Sequence, residues 1–395
     1  MEKEKLWTKQ FMIVSLINFL IVLMFYLLMV TIASYAKSEY NASTSTAGLV
    51  SSIFIIGSLI GRLFSGRLIS SLGSKKILWI GIITFLFTSC LYFIHIGIGF
   101  LMITRLLQGI AVGIVGTASG TVIAQIVPQS RKGEGIGYYS LSAILATAIG
   151  PLIGIWLLKL DSGFTWMFAL NVIVSVISIV IIMISKLEVP VIKLTKGTSH
   201  GSTSFVSKFL EIRAVPISFV ALLVGFSYSG VMSFLSFYAE DINLVEASGY
   251  FFLVYALIII FSRPITGKIF DARGANIIVY PCLVLFAIGM ILFSQATVGW
   301  VLLVSAVLIG VGYGNFNSVA QAVAVKVTPS HRVGLATSTY FILYDLGLGL
   351  GPYILGFIVP ASGYRAIFLS MAVLIVICIP VYYILHGRKD KVLLR

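Results

Sequence analysis

An all-α integral membrane fold, with twelve transmembrane helices arranged as two pseudo-symmetric six-helix bundles, is what the sequence predicts, and three observations predict it. The 395 residues are 59% hydrophobic and 10% charged, with a mean hydropathy of +1.08, too apolar to cover a water-soluble surface. Apolar runs of about 20 residues, each long enough to cross about 30 Å of hydrocarbon, recur from end to end. They are apolar on every side, whereas the strands of a membrane barrel alternate over segments of about 10 residues. Finally, the plan repeats: GRLFSGRLISSLGSKK (Gly61 to Lys76) returns as SRPITGKIFDARG (Ser262 to Gly274), so that Arg62 matches Arg263, Gly66 matches Gly267, Arg67 matches Lys268 and Gly73 matches Gly274, each 201 residues on.

Taken in order, the apolar windows place helices over 11–35, 47–69, 77–97, 99–123, 138–158 and 164–186, then over 214–238, 248–268, 276–296, 300–324, 336–358 and 364–386. The run from Phe11 to Ser34 exceeds a signal-peptide core and lacks a cleavage site, so it reads as an uncleaved first helix. Residues 1–186 form the first bundle and 214–386 the second. Between them, 187–213 contains TKGTSHGSTS, whose glycine, serine and threonine resist helix formation and suit a tether; 387–395 is a tail. The repeat persists past the opening motif. Pro128 and Arg131 match Pro329 and Arg332, Gly150-Pro151 matches Gly351-Pro352, and SGFTWMF at Ser162 matches SGYRAIF at Ser362 with the offset now 200. Register kept over several helices points to an internal duplication.

Of the 27 lysines and arginines, all but Lys37, Arg105, Lys159 and Arg365 fall on the side of the two termini and the linker. The positive-inside rule makes that side cytoplasmic, so a cell-membrane protein with both termini inside is expected. The net charge of +14 comes from single and paired basic residues between apolar runs, with no stripe for nucleic acid. Cys90, Cys282 and Cys378 lie inside apolar runs, with no disulfide framework. His95, His200, His331 and His386 are scattered, which disfavours a metal centre or a membrane-embedded enzyme. No GxxxxGK[ST] loop is present, so direct drive by ATP is not expected.

Gly66, Gly73, Lys75 and Lys76 fit a signature of the form G-x-x-x-D-R/K-x-G-x-R/K-R/K, and Gly267, Asp271, Arg273 and Gly274 form its second copy. On these residues, with the helix count and duplication, the whole chain resembles the major facilitator superfamily, in particular its twelve-helix drug/proton antiporters. Ser70 and Ser71 depart from the pattern by replacing its acidic and first basic positions. A tight turn with charges bridging neighbouring helices suits a cytoplasmic gate, and the asymmetry of the copies predicts that the gate leans on Asp271.

Further resemblances lie within helices. TRLLQGIAVG in the fourth helix, with Arg105, Gln108 and Gly109, is similar to a family pattern whose arginine is linked to proton coupling. An unaided arginine inside a helix costs about 2.5–3.5 kcal/mol on insertion scales, so Arg105 must be paired, hydrated or near an interface. In SAILATAIGPLIGIW of the fifth helix, Gly150, Pro151 and Gly154 match a kink motif associated with exporters, while Ala146 and Ile155 replace its outer glycines. DLGLGLGPYILG in the eleventh repeats the idea.

Asp345 is the carboxylate placed deep in an apolar run; the others fall in tails, loops or helix ends. A carboxylate in low dielectric binds a proton more readily, which makes Asp345 the candidate for proton coupling or for substrate charge, with Arg105 tuning the site. Asn18, Tyr26, Tyr228, Tyr313, Asn317, Gln321 and Tyr344 are candidates for a cavity lining, together with Phe226, Asn315 and Tyr340. The expectation is a secondary active transporter: a proton-coupled exporter of a small amphiphilic compound, of the multidrug-resistance kind, working as a monomer by alternating access without a cofactor and driven by the proton gradient. The alternatives are a proton-coupled importer of an organic acid or sugar and, more remotely, a membrane-embedded enzyme.

Overall fold

The computed structural model describes residues 5–185, 187, 189 and 209–389. Most of the expected linker and the end of the tail therefore lie outside the described residues. The elements are α1 (Lys9–Tyr40), α2 (Thr44–Leu72), α3 (Ser74–Leu91), α4 (Ile98–Ile126), α5 (Lys132–Leu157), α6 (Gly163–Ser185), α7 (Val215–Asp241), α8 (Val245–Arg273), α9 (Asn276–Ser294), α10 (Gly299–Ile309), a π-helix (Gly310–Gly314), α11 (Asn315–Lys326) and α12 (Val333–Leu385). No strand occurs among the described residues. In a bilayer each backbone polar group must be satisfied within its own segment, and the helix does this.

Eleven of these stretches are long and apolar enough to cross a membrane, and they account for the twelve expected crossings. α10, the π-helix and α11 together make the tenth. α12 has 53 residues, about 80 Å at 1.5 Å per residue, more than twice the length one crossing needs. It breaks at Gly363, whose φ of 76° and ψ of 167° are not helical. The expected eleventh and twelfth helices meet at that glycine. The surfaces turned outward are apolar, with Ile184, Phe261 and Phe357 each at least 70% exposed. Exposed Trp156, Trp166 and Trp300 sit at the ends of α5, α6 and α10, where amphipathic rings anchor a helix at the membrane–water interface.

The chain divides into two compact units. The first comprises Met1–Pro128, Ser142–Leu210 and Pro329–Ser338, and the second Gln129–Leu141, Glu211–Thr328 and Thr339–Arg395. Each thus takes in a short segment from the other half of the sequence, and the two segments begin 200 residues apart, within one residue of the offset of the repeat. In the first unit α4 packs on α1, α2 and α3, and α6 on α1 and α3. The α2–α4 seam is made by glycine. A Cβ at Gly57 would stand 2.1 Å from the Leu106 carbonyl oxygen, and one at Gly109 would stand 2.1 Å from that of Phe54. Gly61 and Gly113 continue the seam one turn on against Ile110 and Ser58, so the two backbones touch over two turns, as small residues at this spacing permit. In the second unit α10 packs on α8 and α9, and the π-helix lies against the same two helices.

Candidate functional site

A cluster of five tyrosines in the second unit holds four phenols within electrostatic reach of an arginine. Tyr228 of α7 stacks on Tyr313 of the π-helix, with ring centroids 3.9 Å apart and planes 13° apart, and on Tyr255 of α8 at 5.5 Å. Tyr340 and Tyr344, one turn apart on α12, stack at 5.9 Å. The Tyr313 and Tyr344 hydroxyls hydrogen-bond each other, and the Asn317 amide donates to the Tyr344 oxygen at 3.1 Å. Tyr340 donates to Asn317, both at the backbone carbonyl (2.8 Å) and at the side-chain oxygen. Five elements, α7, α8, the π-helix, α11 and α12, therefore meet in one hydrogen-bonded aromatic group.

The π-helix sets this geometry. Its sequence GVGYG puts glycine at 310, 312 and 314, where a Cβ would meet Ile258 of α8, Cys282 and Phe286 of α9, and Ile259 of α8 at 2.4–2.6 Å. The missing side chains let the segment wedge between α8 and α9, and the widened turn presents Tyr313 to Tyr228. π-bulges of this kind recur at functional sites. Arg263 of α8 is 2% exposed, and its Nη2 donates to the Gly314 carbonyl at 2.8 Å. Its Nε and Nη1 are buried without a hydrogen-bond partner. The phenols of Tyr255, Tyr313, Tyr340 and Tyr344 are close enough for electrostatic interaction with its charge. Asp345 follows Tyr344 and is partly buried, within electrostatic reach of Tyr340 and Tyr344.

Arg105 is the buried cation of the first unit. It is 0% exposed, so it does not snorkel to an interface. Its Nη1 donates to Gln108 Oε1 at 2.9 Å and to the Tyr92 hydroxyl at 3.4 Å, its Nε donates to the Val50 carbonyl at 3.4 Å, and the guanidinium lies 4.7 Å from the Phe54 ring centroid. Gln108 in turn donates to Asn171 of α6 at 3.3 Å and accepts from Tyr92. Hydrogen bonds and a ring face supply what a carboxylate would otherwise give; no ion pair to Arg105 occurs among the described residues.

The signature copies differ in what they hold. Gly73 and Gly274 both take the turn after their helix with positive φ, 84° and 86°. Gly267 of α8 faces the start of α5, where a Cβ would come within 2.7 Å of Glu134 Cα. Four residues on, Asp271 accepts from the backbone N–H of Gly133 (2.8 Å) and Glu134 (2.9 Å), and Lys326 of α11 pairs with it at 2.9 Å. A carboxylate on the first N–H groups of a helix satisfies donors that lack a partner and complements the helix dipole. Glu134 itself pairs with Arg131 at 2.8 Å, with Lys268 at 3.8 Å. In the first unit Gly66 of α2 faces the start of α12 at Ser338, whose hydroxyl donates to the Arg62 carbonyl at 2.6 Å. Ser70 donates only to Arg67 of its own turn. Lys75, Lys76 and Arg273 are exposed.

Of the cavity candidates, the structure brings together Tyr228, Tyr313, Asn317 and Tyr344, with Gln321 buried on α11. Asn18 and Tyr26 lie on α1 in the first unit. Asn18 donates to Ser142 at 2.8 Å and accepts from Ser119 at 3.3 Å. Tyr26 faces α5 at Gly150, where a Cβ would meet its own Cβ at 2.9 Å, and Gly154 continues the contact against Leu27 and Thr31. Pro151 sits between them inside α5. Tyr255 and Arg263 complete the tyrosine cluster without having been cavity candidates; the alternating glycines of GVGYG, close to the second signature in space, were the available signal.

A family model described as Major Facilitator Superfamily matches residues 14–297 and 274–394. An uncharacterized MFS-type transporter of Methanocaldococcus jannaschii is 26% identical over 340 residues, covering 84% of this chain and 86% of that protein. The staphylopine export protein of Staphylococcus aureus is 21% identical over 86% of this chain and 87% of its own length. The crystal structure of the human organic anion transporter MFSD10 superposes with a TM-score of 0.78 over 94% of this chain and 98% of that one, at 15% identity, a likeness of fold.

Proposed function

Because the chain belongs to the major facilitator superfamily, and is therefore a multi-pass membrane transporter, we propose that it is a proton-coupled exporter of a small amphiphilic compound. It works by alternating access in the cell membrane, with both termini cytoplasmic. The observation that carries the reading is the position of Asp345. It lies twelve residues into α12, about 18 Å along the axis and so near the middle of a crossing. The other described carboxylates sit in loops or close to helix ends. There it is within electrostatic reach of the Tyr340 and Tyr344 phenols, in a group of hydroxyls and rings suited to an amphiphile.

Proton exchange at Asp345 couples the gradient to the substrate step, since only a group that both binds and releases a proton during the cycle can do so. Export is favoured over uptake by the α1–α5 packing at Gly150, Pro151 and Gly154, which resembles an exporter motif, and by similarity to a protein named for export. Inverted membrane vesicles energised with a pH gradient test the proposal. Asp345→Asn is expected to abolish gradient-driven accumulation of substrate while leaving the protein folded; full proton-driven transport by that variant refutes the role of Asp345, and transport only in right-side-out vesicles refutes the direction.

A further inference from the structure

Arg263 is a buried cation that the chain itself leaves unsatisfied. A guanidinium carries five N–H donors. In Arg263 the Gly314 carbonyl accepts from Nη2, while the single donor on Nε and both on Nη1 have no partner. No carboxylate among the described residues stands within ion-pair distance of it. The tyrosines around it are neutral phenols at physiological pH, so they offer dipoles and no compensating charge. An uncompensated charge in a site this dry is strongly disfavoured unless something joins it. Arg105 in the first unit differs in degree: its Nη2 is likewise buried without a partner, but three acceptors and the face of Phe54 take up the rest of the guanidinium.

The phenols of Tyr255, Tyr313, Tyr340 and Tyr344 lie within electrostatic reach of the guanidinium. Tyr228 is stacked between Tyr255 and Tyr313, and Tyr340 lies parallel to Tyr344 within 10°. Such faces take flat or apolar bodies and discriminate little among them, whereas the guanidinium demands a negative group. The geometry points to Arg263, framed by Tyr228, Tyr255, Tyr313, Tyr340 and Tyr344, as the recognition site for an organic anion: its carboxylate takes the Nε and Nη1 donors and its apolar body lies on the rings. This names the substrate class of the transporter proposed above and rests on that reading. The Tyr313–Tyr344–Asn317–Tyr340 hydrogen bonds hold the rings in place.

The test uses the purified full chain in nanodiscs and a matched pair of probes, 1-naphthaleneacetate and 1-naphthaleneacetamide, which share a ring system and differ in charge. Wild type is expected to bind the acetate about 10- to 100-fold more tightly than the amide, the range of one charge-assisted hydrogen-bonded contact. Arg263→Gln should remove the preference, Arg263→Lys should retain a reduced one, and Tyr313→Phe should leave the preference while weakening both probes. Melting curves of Arg263→Lys against wild type separate lost binding from lost fold. Equal binding of the two probes by wild type, no measurable binding of the acetate, or a preference that survives in Arg263→Gln overturns the site. Proteoliposomes under a pH gradient then distinguish the two levels of the argument. Gradient-driven movement of ethidium but not of naphthaleneacetate overturns the anion site and leaves the exporter standing. Arg263-dependent binding of naphthaleneacetate with no gradient-driven movement of either overturns the proton coupling and supports the site.

Discussion

Replacing Asp271 by asparagine keeps the shape of the α8 side chain and removes its charge, and the structure fixes what is lost. In the wild type one carboxylate oxygen accepts from Gly133 N–H and from Lys326, the other from Glu134 N–H, all at 2.8–2.9 Å. An asparagine has a single acceptor oxygen, so one backbone N–H at the start of α5 must face an NH2 group. Loss of a charge-assisted hydrogen bond at so buried a position costs about 1.5–3 kcal/mol, and loss of the anion at the helix N-terminus adds about 0.3–1 kcal/mol. The Lys326 pair, whose lysine side chain is 29% exposed, adds at most about 1 kcal/mol after solvent screening. A weakening of about 3 kcal/mol multiplies the open fraction of the α8–α5 contact about 100-fold. Hydrogen exchange of the peptide spanning 129–141, read by mass spectrometry, reports that fraction directly. Asp271→Asn is expected to exchange about 100-fold faster there than wild type and to lose most transport, while Ser70→Ala, which removes one bond to the Arg67 carbonyl, exchanges at the wild-type rate. Equal exchange in the two variants would refute the reasoning and leave the glycines as the signature's whole contribution.

Two further substitutions probe the first unit. Arg105→Lys keeps the charge but cannot reach the Gln108, Tyr92 and Val50 acceptors together; unsatisfied buried groups cost about 1–3 kcal/mol each, so thermal unfolding in detergent should shift down by about 2–3 kcal/mol in stability, and an unchanged melt would mean that the network does not hold α4. Gly109→Ala places a methyl against the Phe54 carbonyl, an overpacking that costs about 1–3 kcal/mol, and a melting curve like that of wild type would mean that α2 and α4 part without cost.

Hydropathy and repetition made the architecture legible, and the reasons show where they stop. Twelve apolar windows need only composition, so ten of them appear as separate stretches where expected; the last two run together because a break at Gly363 needs one residue and no polar loop. The offset of 201 already paired Pro128 with Pro329, and in the structure Gly267 faces Gly133 while Gly66 faces Gly334, again 201 residues apart in each member. What could not be read was that Asp271 binds the start of α5, because a contact between residues 138 apart leaves no periodic trace. The π-helix escaped for a different reason: a turn of i to i+5 bonds has the same composition as one of i to i+4. Arg263 looked like one more cytoplasmic charge near the end of an eighth helix over 248–268, and its burial follows from α8 running on to Arg273 with the π-helix packed beside it.

The two buried arginines then carry different consequences although each sits in a six-helix plan copied from one ancestor. Arg105 spends its Nε and Nη1 donors on α2, α4 and Tyr92 just after α3, and its neighbour Gln108 ties the group to α6, so its charge is committed to holding helices together. Arg263 donates to one carbonyl, and its Nε and Nη1 have no hydrogen-bond partner, so its charge is available. The two are not counterparts in the repeat, where Arg263 matches Arg62, so the contrast is one of position within the units and not of two copies of one residue. The asymmetry extends to the signatures, where Asp271 kept the carboxylate and the matching position is Ser70. Both differences assign scaffolding to the first unit and charge chemistry to the second, which also holds Asp345. Substitutions that neutralise charge should accordingly act on stability when made at Arg105 and on binding or coupling when made at Arg263 or Asp345.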